Sequence, residues 1–67
     1  MQLLRKDEQG ADVRLSGDEL FLLNNALNEV CNGMHIEEPE FATRLGVGRD
    51  EALTLLASIN GIVRISS

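Results

Sequence analysis

The chain has no tryptophan and no tyrosine, and its 67 residues include two aromatics, Phe21 and Phe41. Its core must therefore be aliphatic, drawn from eleven leucines, four isoleucines and four valines. A single cysteine, Cys31, excludes a disulfide within the chain and fits a reducing cytoplasm. A single histidine, His35, leaves any proton-transfer chemistry with one imidazole, and a tetrahedral zinc site would need ligands that only carboxylates remain to supply. No apolar run approaches the ~20 residues of a membrane span, and no charged-then-apolar signal segment is present. Bases are also scarce: six Lys and Arg against eleven acids give a net charge of −5. That balance favours solubility and basic partners over nucleic acid.

The length fits one small domain over residues 1–67, of a size that buries only ~60% of the surface of its unfolded chain. A fold this small without staples often needs a partner or a second copy, so a homodimer is compatible with the sequence.

The pattern predicts an α+β, mainly α domain of three helices, with a small N-terminal hairpin joined by a C-terminal strand. Residues 1–6 and 13–15 read as strands around a polar turn, Asp7 to Asp12. Ser16-Gly17-Asp18-Glu19 is a capping box opening a first helix at 17–32, with Leu20, Leu23, Leu27, Val30 and Cys31 at helical spacing. Asn32-Gly33 ends it, with Gly33 as a left-handed cap. Met34-His35-Ile36 is a connection. Pro39 suits the first turn of a second helix that buries Phe41, Ala42 and Leu45 and closes at Gly46. Gly48 precedes a third helix at 49–59, with Ala52, Leu55, Leu56 and Ile59 on one face. Asn60-Gly61 stops it, and the β-branched run Ile62-Val63-Arg64-Ile65 reads as the final strand.

Two surfaces stand out as candidates for binding. The first is acidic: Asp7, Glu8 and Asp12 on the hairpin, with Glu37, Glu38 and Glu40 before the second helix. Such carboxylates can stand in for phosphates, although acids near helix N-termini are also stabilised by the helix dipole, each by ~0.3–1 kcal/mol. The second is on the first helix, where Asn24, Asn25, Asn28 and Asn32 fall on one flank around Phe21, an apolar anchor with an amide rim. Cover of Phe21 by the hairpin or the final strand, with the amides serving loop backbone, is the alternative. No nucleophile has a base and an orienting group, and Gly46-Val47-Gly48 lacks the lysine of a phosphate-binding loop. The sequence gives no catalytic residue, no metal ligand set and no cofactor motif.

Residues 41–56 resemble a helix-turn-helix: Phe41 and Ala42, then Gly46 in the turn, then apolar residues at 52, 53, 55 and 56. The resemblance implies that the third helix would enter a major groove with Arg49 and Thr54 as contacts. Asp50 and Glu51 depart from that pattern by placing carboxylates where phosphates would lie. In size and charge, without a motif, the whole chain is similar to the small acidic inhibitors encoded by phages, including anti-CRISPR proteins, and to toxin-neutralising immunity proteins. These comparisons imply a non-enzymatic protein-binding module that blocks a nucleic-acid-binding surface of a basic target, with no direct DNA binding and no membrane partner. The alternative is a small dimeric helix-turn-helix regulator.

Overall fold

The computed structural model describes residues 1–33 and 35–65. Met34, expected in the connection after the first helix, and the terminal Ser66 and Ser67 lie outside them. The described chain runs β1 (Gln2–Asp7), β2 (Gly10–Arg14), α1 (Gly17–Asn28), a π-helical turn (Glu29–Gly33), α2 (Glu38–Leu45) and α3 (Arg49–Arg64). It is α+β and mainly α, as the sequence predicts. Among the described residues no helix is long and apolar enough to cross a membrane.

β1 and β2 form an antiparallel hairpin whose turn is tighter than the polar run suggests. The Asp7 carboxylate accepts the backbone N–H groups of Gln9 (2.8 Å) and Gly10 (3.2 Å), so the chain reverses over Glu8 and Gln9 alone. Asp12 is therefore a strand residue paired with Arg5, where a turn residue was expected.

Ser16 caps α1 as its sequence demands. Its hydroxyl accepts the Glu19 N–H at 3.1 Å, and the Glu19 carboxylate accepts the Ser16 N–H at 2.9 Å. The Met1 amino group also donates to Glu19, and this contact, with the Ser16 N–H, holds the Glu19 carboxyl down at a pKa of about 2.

Cys31, Ile36, Phe41, Ala52 and Leu56 form the core, with Leu27 and Val30 packed against it. The π turn, wider than an α-helical turn because its bonds span five residues, closes α1 without a left-handed glycine. The atoms nearest to a Cβ at Gly33 would be those of the Glu29 carboxylate, the far end of an exposed, flexible side chain that can move aside. Gly46, by contrast, does take a left-handed φ of 84° and ends α2 as expected. The second helix buries less than its pattern suggests, since Phe41 is fully buried but Ala42 and Leu45 face solvent.

The expected C-terminal strand over 62–65 is not formed, and among the described residues no third strand joins the hairpin. α3 continues through Asn60-Gly61 to Arg64. At about 100° per residue, Ala52, Leu56, Ile59 and Val63 share one face, and that face packs antiparallel along α1. Partial burial of Val63 on this stripe overrides the β preference of a four-residue run. Leu55, expected on the buried face, lies on its flank and is half exposed. Gly61 sits inside a helix with ordinary φ and open space around its Cα. Gly61→Ala should therefore stabilise the fold by about 0.5–1 kcal/mol. A raised midpoint in urea checks this; a lowered one would restore Gly61 as a helix stop.

Candidate functional site

α2 and α3 are joined by the three-residue turn Gly46-Val47-Gly48, in the order and spacing of a helix-turn-helix. The head of α3 decides what this pair can present. Arg49, which the helix-turn-helix resemblance alone would turn toward DNA, turns inward. Its Nη1 donates to the Cys31 carbonyl at 2.6 Å, Nη2 to the Ile36 carbonyl at 2.5 Å, and Nε to Glu38 at 2.7 Å. The guanidinium carbon lies 4.5 Å from the centroid of the Phe41 ring. Every guanidinium nitrogen is engaged, in the planar fork geometry that only arginine offers.

The chemistry explains the placement. The end of α1 and its π turn carries no base in its own last turn, so its terminal carbonyls and dipole lack a cationic partner. Arg49 supplies one from another helix. Sequence reading missed this because the 18 residues separating Arg49 from Cys31 carry no local signal.

Thr54, the second expected DNA contact, is also occupied, its hydroxyl donating to the Asp50 carbonyl at 3.0 Å. What the head of α3 leaves on the outside is Asp50 and Glu51, both exposed. The bond from Arg49 to Glu38 brings the start of α2 beside the start of α3. Glu37, Glu38 and Glu40 thus share one end of the molecule with these two acids. Glu37 is the N-cap of α2 and makes no side-chain capping bond. Glu40 lies 3.4 Å from Arg44, one turn on, in an exposed pair that contributes little to stability.

The other three acids of the expected surface lie apart. Asp7 serves the hairpin turn and is 3.6 Å from Arg5; Glu8 is at the tip; Asp12 is on β2. The hairpin packs against neither α2 nor α3, so the two acidic groups do not merge into one surface.

On α1, Phe21 is 59% exposed, with Asn25, Asn28 and Asn32 open to solvent on the same flank. The hairpin does not cover it. Asn32 donates to Asn28 at 3.0 Å, the only side-chain bond of the amide row among the described residues. Asn24 departs from the row: it is half-buried, and its Oδ1 is buried with no partner. Cys31 is a core residue, while His35 is exposed. Among the described residues no three His, Cys, Asp or Glu side chains converge on a metal-sized centre.

Comparison with protein-family models, with curated proteins and with solved structures gives no match for this chain.

Proposed function

We propose that this chain is a non-enzymatic, cytoplasmic protein-binding module: a small acidic inhibitor that occupies a nucleic-acid-binding surface of a basic target. The observation that carries this reading is the direction of Arg49. A helix-turn-helix-like pair whose leading arginine is consumed inside the fold, and whose leading carboxylates point out, has the wrong sign for phosphates. The same arrangement suits a surface of lysines and arginines. The resemblance to anti-CRISPR and immunity proteins, in size and charge, points the same way. The inward arginine also counts against the dimeric DNA-binding regulator.

The uncovered amide row favours a second contact surface, on α1, with Asn25, Asn28 and Asn32 as hydrogen-bonding rim.

The isolated protein should show no retention on duplex DNA at physiological salt. It should form a complex with a basic nucleic-acid-binding protein from its own cell, competed by that protein's nucleic acid and weakened by salt. Reversing Glu37 and Glu40 to lysine should slow association about tenfold, read by surface plasmon resonance. Tight, salt-sensitive DNA binding would overturn the reading. Loss of the complex in Asn28→Ala, with the charge reversals inert, would move the interface to α1.

A further inference from the structure

The chain exposes more surface than a protein of its mass should. A folded monomer of 7.4 kDa is expected to expose about 4,200 Å², whereas this one exposes 5436 Å². Its radius of gyration is 13.3 Å, against about 11 Å for a compact chain of this length. It is also thin, measuring 35 × 30 × 15 Å. The surface beyond expectation, roughly 1,200 Å², is enough for one standard interface at ~800 Å² per partner.

Two apolar surfaces contribute to the exposure. The first is a groove between the start of α1 and the end of α3, lined by Gly17, Leu20, Phe21, Ile62, Val63 and Ile65. The second is one face of the hairpin. The pairs Leu3↔Val13 and Lys6↔Ala11 place Leu3, Val13, Ala11 and the Lys6 stem on that face. Arg5, Asp12 and Arg14 lie on the other. Leu3 is 60% and Val13 41% exposed, and the hairpin packs on no helix. An isolated two-stranded hairpin is marginal in water, so this one needs cover.

The two surfaces do not meet within one chain. The hairpin is tied through Met1 to Glu19, which lies about 200° around α1 from Phe21 at roughly 100° per residue. We propose that they meet between chains: the apolar face of one copy's hairpin seats in the Phe21–Ile62–Ile65 groove of a second copy, reciprocally, in a two-fold dimer.

Charge selects this arrangement over groove against groove. Residues 1–14 carry three bases and three acids, whereas the rest of the chain carries three bases and eight acids. Packing helical body on helical body would oppose two acidic surfaces; a neutral arm against an acidic body would not. Lengths agree as well, since six strand residues span about 20 Å and the twelve residues of α1 about 18 Å. The acidic end at α2 and α3 stays free, so the dimer does not rest on the inhibitor reading.

Sedimentation equilibrium of the full chain, from low micromolar to millimolar concentration, should give the mass of two chains. Phe21→Asp and Val13→Lys lie outside the core, so both should keep the far-ultraviolet circular dichroism spectrum while each raises the dissociation constant roughly thirtyfold or more. The Glu37 and Glu40 reversals should leave it unchanged, which separates failure of the dimer from failure of the inhibitor. In a mixture of labelled and unlabelled chains, isotope-filtered NOEs should connect the Val13 methyls of one copy to the Phe21 ring of another. A single-chain mass at millimolar concentration would overturn the proposal. So would a dimer indifferent to Val13→Lys, which would remove the hairpin as occupant.

Discussion

Replacing Arg49 with alanine is expected to remove about 3–5 kcal/mol of stability, through two orphaned carbonyls and a lost cation–π contact. Hydrogen bonds to charged groups contribute about 1.5–3 kcal/mol each. The stacked guanidinium adds ~0.5–2 kcal/mol over Phe41. These terms overlap, so their sum overstates the loss. A domain of this length is stable by only ~3–10 kcal/mol, so the loss takes from about a third to all of its stability. Two controls separate the contributions. Glu38→Gln should cost well under ~1 kcal/mol, because Glu38 is 68% exposed and its ion pair is screened. Arg49→Lys should recover less than half of the alanine loss, since one ammonium cannot hold Cys31, Ile36 and Glu38 in a planar fork. Urea unfolding followed by circular dichroism reads all three. An unchanged midpoint for Arg49→Ala would free the arginine and return α3 to the list of DNA-reading helices.

Some local signals in this sequence stand in the structure, and others are overridden by distant contacts. The Ser16–Glu19 capping box and the left-handed Gly46 work through contacts within a few residues, and both stand where the pattern puts them. The end of α3 failed for the opposite reason. Ile62-Val63-Arg64-Ile65 is ambiguous as a tetrapeptide, and only the distant α1 face that receives Val63 makes it helical. Asn60-Gly61 reads as a stop, yet a single glycine costs a helix about 1 kcal/mol, which packing along the rest of α3 outweighs. The surface divides in the same way. Exposure of Glu37, Glu38 and Glu40 follows from their charge. The orientation of Arg49 depends on two carbonyls, one of them 18 residues away, that no spacing rule identifies. Asn24 is half-buried while Asn25, Asn28 and Asn32 are exposed, a difference that their shared flank does not predict. I–i+3 and i–i+4 arithmetic places residues on a flank but does not say what lies against it.

Phe41→Ala should be the most damaging single truncation in the chain. Phe41 is fully buried, the largest side chain in a core of five, and no second aromatic stands nearby to close the gap. Emptying such a site costs about 3–5 kcal/mol, comparable to the whole stability of a domain this size. Phe41→Leu keeps most of the apolar volume and should cost less, but it removes the ring on which Arg49 rests. That makes the pair a test of coupling. If the ring holds the guanidinium over the Cys31 and Ile36 carbonyls, then Phe41→Leu and Arg49→Lys together should depart from additivity by roughly 0.5–3 kcal/mol. Chemical denaturation of the four members of the cycle measures this, with amide exchange at the α1 end reporting whether the π turn loosens. Strict additivity would mean that Phe41 fills space and Arg49 caps α1 independently. A coupled pair would make the two residues one structural unit, joining the end of α1 to the starts of α2 and α3 and fixing the acidic end that the proposed inhibitor presents.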